Sequence, residues 1–198
     1  MKEVIIIGIT GPMGAGKDTV AKILQKKGAE IIDVDKLAHT LYPAQSLLWQ
    51  KIVKAFGSKI LSRGGEINRK KLGAIVFGDH RQLKVLNRIV HPELKKEIIR
   101  EVEIRKLENV GTGLVPVREK LIVINAALLK EIGLIDLVDE VWVVMASQAV
   151  RLKRLIQKGM DRKTALQRMK MQMGQKEYLK MADKVINNNG KIRNRIKI

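Results

Sequence analysis

The sequence predicts an α/β fold in which helices flank a mainly parallel sheet of five strands. Two observations favour this fold class. Short runs of β-branched and aliphatic residues alternate with segments of helical periodicity along the chain. The short runs are almost continuously apolar, as expected when helices cover both faces of a sheet. The predicted strands are residues 3–9, 29–33, 120–125, 140–145 and 184–187.

The first predicted strand leads into a glycine-rich loop and then a helix. The loop fits the pattern G-x-x-x-x-G-K of the phosphate-binding loop (P-loop, residues 11–17), and the helix after it runs over residues 17–27 before Gly28 ends it. In this order of elements the N–H groups of the loop turn toward a phosphate, and the helix N-terminus adds its positive end. The motif predicts a site for a nucleoside triphosphate, with Lys17 contacting the outer phosphates. The residues predicted to form this site are Gly11, Gly14, Ala15, Gly16, Lys17, Asp18 and Thr19.

The residue after the motif lysine departs from the usual pattern. A Ser or Thr hydroxyl normally ligates Mg²⁺ there, but Asp18 occupies this position and Thr19 follows. A carboxylate is itself a good ligand for Mg²⁺. Three interpretations stay open: Asp18 holds the metal directly or through water, its charge weakens nucleotide binding, or Thr19 supplies the hydroxyl. Asp18 and Thr19 are therefore the candidate metal ligands.

The composition predicts one domain in a reducing compartment. A chain of 198 residues is long enough for a single full core, and it contains no cysteine. The N-terminus runs directly into a strand without the pattern of a signal peptide, and no apolar stretch approaches the length of a membrane span. We therefore expect a cytoplasmic protein that is a monomer or a weak homo-oligomer and has no membrane partner.

The charge of the chain is strongly positive. Lys and Arg number 39 against 20 Asp and Glu, which gives a formal net charge of +19. Such a surplus attracts polyanions, whether phosphorylated metabolites or nucleic acid. Aromatic residues make up only 3% of the chain, so no stacking platform for bases accompanies the charge. Nucleic acid is the less favoured partner, although the charge does not exclude it. The basic clusters lie at residues 69–71, 151–158, 162–170 and 191–197.

About ninety residues of mostly helical pattern separate the second and third predicted strands. Such a long insertion between two strands of a parallel sheet usually binds a substrate. His91-Pro92 is expected to break the last helical segment in two, and residues 108–116 are expected to form a mobile loop. The predicted helices of this region are residues 36–42, 46–56, 69–76, 81–90 and 93–107.

A second helical feature follows the fourth strand. Ser147 and Asp161 are predicted N-caps of two helices, over residues 148–158 and 162–173, that turn at Gly159. The pair forms a basic hairpin. Its cations include Arg151, Arg154, Lys158, Arg162 and Arg168.

Among proteins that contain a P-loop, a kinase fits these residues best. The guanine-reading pattern Asn-Lys-x-Asp of GTPases is absent, and the strand LIVI ends in Asn125 rather than the acid typical of motor ATPases. A kinase needs a carboxylate to accept the proton of the acceptor, and cations on a movable lid. Asp33, at the end of the second strand, supplies the carboxylate. The basic hairpin supplies the cations. Asp35 either contacts substrate or anchors the next segment.

The chain resembles the dephospho-CoA kinase family over nearly its whole length. The segments that carry the resemblance include GITGPMGAGKDTVAK, GAEIIDVDKLAH, LNRIVHPEL, LIVINAALLKEIGL, RLKRLIQKG and ADKVINNNG, in this order. The resemblance implies that MgATP phosphorylates the ribose 3′-hydroxyl of dephospho-CoA, the last step of coenzyme A synthesis. It also implies a single P-loop kinase unit, residues 1–198, with three subregions. These are a nucleotide core (1–60, 118–147 and 176–198), a helical CoA-binding region (61–117) and a lid (148–175).

Position by position, the resemblance also implies roles for individual residues. Asp33 would be the general base, while Lys17 and Arg154 would contact the transferring phosphate. The residues implied at the acceptor site are Arg69, Phe77 and His91, and Asp35 is a further candidate for substrate binding. Those implied near the adenine of ATP are Asn188 and Gly190.

The sequence shows four departures from the pattern of that family. Asp18 replaces a hydroxyl residue, the segment 125–127 reads Asn-Ala-Ala rather than Asp-x-Pro, Lys158 replaces an arginine, and Asn187 replaces an aspartate. None of them removes the implied catalytic residues, so we expect an active kinase. Two alternatives stay open: a kinase of this fold with another acceptor, and a P-loop protein that binds nucleotide or nucleic acid without phosphoryl transfer.

Overall fold

Five parallel strands form one sheet in the computed structural model, which describes residues 4–107 and 120–190. The spatial order of the strands is β2-β3-β1-β4-β5. The predicted fold class is confirmed, and each predicted strand is present within about one residue. The strands are β1 (Val4–Thr10), β2 (Glu30–Asp33), β3 (Lys120–Asn125), β4 (Glu140–Met145) and β5 (Lys184–Asn187). The loop expected at 108–116 and the basic cluster at 191–197 lie outside the described residues.

Helices account for most of the remaining described chain. They are α1 (Lys17–Lys26), α2 (Val34–Thr40), α3 (Leu47–Phe56), α4 (Arg69–Val76), α5 (His80–Leu107), α6 (Gln148–Gln157), α7 (Arg162–Lys170) and α8 (Gln175–Lys180). Ser147 and Asp161 cap α6 and α7 as predicted, since each side chain accepts a backbone N–H three residues later. Helix α7 ends three residues before the predicted Met173, and α8 was not predicted.

The chain divides into two compact units, residues 1–34 with 100–198 and residues 35–99. The first unit contains the sheet, and β1 lies at its centre between β3 and β4. Val20, Ala21 and Leu24 of α1 are buried in the same core cluster as Ile7 and Ile9 of β1. Because β1 is central, the segment that follows it leaves the middle of the carboxyl edge of the sheet, where ligands bind in parallel α/β folds.

The second unit is helical and has its own core. Leu48, Ile52 and Phe56 recur at four-residue spacing on α3 and pack with Leu72 and Val76 of α4. This spacing places each set on one face of its helix. The cluster also includes residues of the linking segment and the first half of α5.

Helix α5 corrects one prediction, because it continues through Pro92. A proline inside a helix removes one backbone hydrogen bond and costs about 3 kcal/mol. Leu94, Ile98 and Val102 follow it at helical spacing and are at most 3% exposed. Burying an aliphatic side chain of this size stabilises the fold by about 1.5–3 kcal/mol, so three of them outweigh the proline. The expected break at His91-Pro92 was therefore wrong.

In the described part of the chain, no helix is both long enough and apolar enough to cross a membrane.

Candidate active site

The P-loop after β1 has a backbone that requires glycine. Gly11, Gly14 and Gly16 have φ values of 143°, 78° and 95°, a region that other residues rarely adopt. The neighbouring atoms also leave no room for a side chain at two of these glycines. A Cβ atom on Gly11 would lie 2.2 Å from the carbonyl oxygen of Val144, and one on Gly16 would lie 2.2 Å from the side-chain nitrogen of Asn188. The loop thus keeps close contact with β4 and with the segment after β5.

Helix α1 begins immediately after the loop. Gly16 is its N-cap in the left-handed conformation, and no side chain caps it. The positive end of the helix dipole and the N–H groups of its first turn therefore lie beside the loop, an arrangement that favours an anion. The ammonium group of Lys17 donates to the carbonyl oxygen of Gly11 at 3.1 Å. This contact keeps the positive charge of Lys17 at the loop.

A cavity of about 630 Å³ lies against the loop and the start of α1. Its volume is in the range of small-molecule sites. The predicted residues that line it come from three parts of the chain: Gly14, Gly16, Lys17, Asp18, Thr19, Arg154, Asn188 and Gly190. The lining also includes Leu155, Gln157 and Lys158 of α6 and its C-cap. Sequence reasoning assigned no role to Gln157, although its spacing from Arg154 on the helix indicates a shared face.

Arg154 connects the loop to the segment after β5. Its guanidinium donates to the carbonyl oxygens of Gly14 at 3.3 Å, Ala15 at 3.1 Å and Asn188 at 2.9 Å. Asn188, which is 3% exposed, donates from Nδ2 to the same Ala15 oxygen at 2.7 Å and accepts from Arg154 at its Oδ1. The arginine and the asparagine therefore converge on one buried carbonyl group of the loop.

A second set of contacts attaches the basic hairpin to the loop. Gln172 accepts a hydrogen bond from the backbone N–H of Met13 at 2.8 Å, and Arg151 Nε donates to the Met13 carbonyl oxygen at 2.8 Å. Arg151 also donates to Gln172 at 3.3 Å. Burial lowers the pKa of Arg151, and burial raises the pKa of nearby Tyr178 to about 12. Sequence reasoning missed Gln172, since its partner is 159 positions away.

Asp33 lies at the carboxyl edge of the sheet. It ends β2 in register with Asn125 of β3, and Asn125 is in register with Ile9 of β1. Neighbouring strands are about 4.8 Å apart, so the backbone of Asp33 lies about 10 Å from that of Ile9. Both residues are on the edge from which the P-loop begins.

The oxygen atoms at the start of α1 fit the requirements of Mg²⁺. Asp18 and Thr19 are exposed in the first turn, and Asp18 Oδ1 accepts a hydrogen bond from Asn125 Nδ2 at 3.1 Å. Clusters of three or more His, Cys, Asp or Glu suited to a metal are absent from residues 4–107 and 120–190. Mg²⁺ needs no such cluster, because it usually takes one or two carboxylates and completes its shell with water and phosphate.

The residues predicted at the acceptor site belong to the second unit. Arg69 begins α4 and donates to the carbonyl oxygen of His39 at 2.7 Å. Phe77 follows α4 and is 48% exposed. The two are about 12 Å apart along the helix axis. His91 lies inside α5, and Asp35 lies in the first turn of α2.

Comparison with known proteins shows similarity over nearly the whole chain. The family model described as CoaE, dephospho-CoA kinase, matches residues 5–194. The dephospho-CoA kinase of Carboxydothermus hydrogenoformans is 42% identical over 188 residues, which cover 94% of this chain and 87% of that protein.

Two solved structures are also similar. A protein from Thermus thermophilus is 31% identical, with a TM-score of 0.72 and coverage of 97% of this chain and 92% of that one. The dephospho-CoA kinase from Campylobacter jejuni is 27% identical, with a TM-score of 0.64 and coverage of 98% and 92%.

Proposed function

This chain belongs to the dephospho-CoA kinase family, and on that premise we propose that it transfers the γ-phosphoryl group of ATP to the ribose 3′-hydroxyl of dephospho-CoA. The observation that carries the proposal is the cavity where the P-loop, Lys17 and Arg154 meet. A loop that requires glycine, a helix N-terminus and two cations form a site for a polyanion of the size of a nucleotide. The product is coenzyme A, and the proposed location is the cytoplasm.

Binding of the triphosphate rests on Lys17 and Arg154. In the proposed complex Lys17 exchanges the Gly11 carbonyl oxygen for oxygens of the β- and γ-phosphates, which stabilise its charge better. Arg154 already lies at the loop, where it donates hydrogen bonds to the carbonyl oxygens of Gly14 and Ala15. Its planar guanidinium therefore lies near the proposed position of the transferring group. Asn188 and Gly190 are the proposed neighbours of the adenine.

Transfer requires a base for the acceptor hydroxyl, and Asp33 is the proposed base. The 3′-oxygen forms a bond to the γ-phosphorus while the bond to the bridging oxygen breaks, and ADP leaves. The proton of the hydroxyl passes to the Asp33 carboxylate. The location of Asp33 at the carboxyl edge supports this role, since it shares that edge with the P-loop.

Asp18 and Thr19 are the proposed Mg²⁺ ligands at the start of α1. When bound, Mg²⁺ neutralises charge on the β- and γ-phosphoryl oxygens. The Asp18 carboxylate is held by Asn125, so its orientation does not depend on the metal.

The acceptor is proposed to bind residues 61–117, and residues 148–175 are proposed to act as the lid. Arg69 would pair with phosphate oxygens of dephospho-CoA, and the exposed ring of Phe77 would pack against its apolar parts. Asp35 and His91 are proposed to shape the same site.

The test is ADP release from MgATP with dephospho-CoA, combined with direct detection of coenzyme A. Lys17→Ala should abolish turnover, and Lys22→Ala, which removes an exposed lysine from the same helix, should not. If the wild-type protein binds the non-hydrolysable analogue AMP-PNP but forms no coenzyme A, the acceptor is wrong and other hydroxyl compounds should be screened. Absence of nucleotide binding would contradict the whole proposal.

A further inference from the structure

Two positions beside the P-loop carry an unusual pair of side chains. In P-loop enzymes Mg²⁺ is commonly held by a Ser or Thr after the motif lysine and by an acid at the end of a neighbouring strand. Here the residue after Lys17 is Asp18, and β3 ends in Asn125. The hydroxyl position holds the carboxylate, and the acid position holds a neutral amide. The two residues that depart from the usual pattern, Asp18 and Asn125, are in contact with each other.

The contact between them has a defined direction. Asn125 Nδ2 donates to Asp18 Oδ1 at 3.1 Å, although 107 positions separate the two residues. An aspartate at position 125 has no N–H to donate at neutral pH, and it would bring a second negative charge against Asp18. The amide at the end of β3 is thus the partner that a carboxylate at position 18 requires.

The oxygen atom of the same amide is the second relevant observation. Asn125 is 6% exposed, and its Oδ1 is buried without a hydrogen-bond donor among the described residues. Buried carbonyl oxygens are nearly always satisfied, and an exception often marks an ion or a water molecule. The hydration shell of a metal ion at Asp18 would bring hydrogen-bond donors of the kind that this oxygen lacks.

We propose that Asp18 and Asn125 form a charge-exchanged Mg²⁺ site. Asp18 provides the carboxylate ligand, and Asn125 is a positioning residue that holds the carboxylate through Nδ2. The number of negative charges is the same as in the usual arrangement, but the charge lies on α1 instead of β3. The inference rests on the proposed binding of a nucleotide, because the triphosphate supplies further ligands.

The test measures metal affinity directly. Mn²⁺ serves as the probe for Mg²⁺, and its binding to the complex of the protein with AMP-PNP is followed by electron paramagnetic resonance. Asp18→Asn keeps the shape of an exposed side chain but removes the charge, so it should weaken Mn²⁺ binding by about tenfold or more. Glu103→Gln, which removes an exposed acid from α5, controls for the loss of one charge and should leave the affinity unchanged.

The exchange itself is tested by rescue. Asp18→Ser alone should weaken Mn²⁺ binding as Asp18→Asn does, whereas Asp18→Ser combined with Asn125→Asp restores the usual pair and should recover affinity to within about threefold of wild type. Asn125→Asp alone should weaken AMP-PNP binding when metal is removed by EDTA, since two carboxylates then face each other.

An unchanged Mn²⁺ affinity in Asp18→Asn would overturn the proposal. So would a folded double variant that binds Mn²⁺ no better than Asp18→Ser. Circular dichroism checks the fold of each variant; if the double variant does not fold, Asp18→Asn decides alone. None of these measurements uses dephospho-CoA. A failure here with normal formation of coenzyme A contradicts only the metal site, and a successful rescue without coenzyme A contradicts only the acceptor.

Discussion

Replacement of Asn188 by alanine should destabilise the protein and weaken nucleotide binding. Asn188 is buried, and its amide makes two hydrogen bonds that hold the P-loop: Nδ2 donates to Ala15 at 2.7 Å, and Oδ1 accepts from Arg154 at 3.3 Å. The first is a neutral bond that contributes about 1 kcal/mol. The second involves a charge, but Arg154 keeps three other acceptors, so the low end of the range, about 1.5 kcal/mol, applies.

The sum predicts a loss of about 2–3 kcal/mol in the free energy of unfolding. For a chain of this length the melting temperature should fall by about 5–10 °C. The assay is urea denaturation followed by circular dichroism, with AMP-PNP affinity measured by calorimetry on the same samples. Because the Ala15 carbonyl group lies inside the loop, affinity should fall together with stability.

Asn189→Ala is the matched control, since the next residue is also an asparagine but is exposed. Its Oδ1 accepts one hydrogen bond, from the backbone N–H of Ser147 at 2.7 Å. Removal of this bond should cost no more than about 1 kcal/mol and leave nucleotide affinity unchanged. If Asn188→Ala and Asn189→Ala have equal effects, the convergence of Arg154 and Asn188 on the loop does not stabilise the site.

Three further predictions concern the base, the loop and the pH dependence of stability. Asp33→Asn should lower kcat by about 10²-fold or more with AMP-PNP affinity retained, and a decrease below about threefold would mean that Asp33 is not the base. Gly16→Ala should abolish nucleotide binding in a calorimetric titration, because φ is 95° and the new Cβ atom would lie 2.2 Å from Asn188 Nδ2; measurable affinity would contradict the required geometry. The raised pKa of Tyr178, about 12, means that the folded state holds this proton more tightly than the unfolded state, whose pKa is near 10. The contribution of Tyr178 to stability should therefore be complete below pH 10 and be lost as the pH rises from 10 to 12. Urea denaturation repeated across this range should show a shallower fall in the free energy of unfolding for Tyr178→Phe than for wild type.

Local signals were sufficient for most elements of the fold. Helix α4 has the predicted bounds because Asn68 caps its first turn and apolar residues recur at helical spacing after it. Ser147 and Asp161 act as N-caps for the same reason, since a cap depends on residues only three positions apart. The P-loop also depends on a short segment, and its glycines are required by their own φ values.

Predictions failed where distant contacts outweighed a local preference. Pro92 favours a break, but buried residues on the following turns of α5 keep the helix continuous. Helix α8 is only six residues long, and its sequence shows little periodicity. Its Tyr178 is 2% exposed, so packing against the rest of the first unit accounts for this helix better than local preference does.

For the site, the sequence by itself predicted which residues carry the chemistry: a glycine loop with Lys17, an acid at the end of β2 and arginines on a basic hairpin. The family followed from the order of these motifs. Only the tertiary structure decided which of them meet. Arg154 reaches the loop across 139 positions, Gln172 across 159 and Asn125 reaches Asp18 across 107. Contacts between residues so far apart arise when the sheet and its helices pack together, and no local pattern in the chain encodes them.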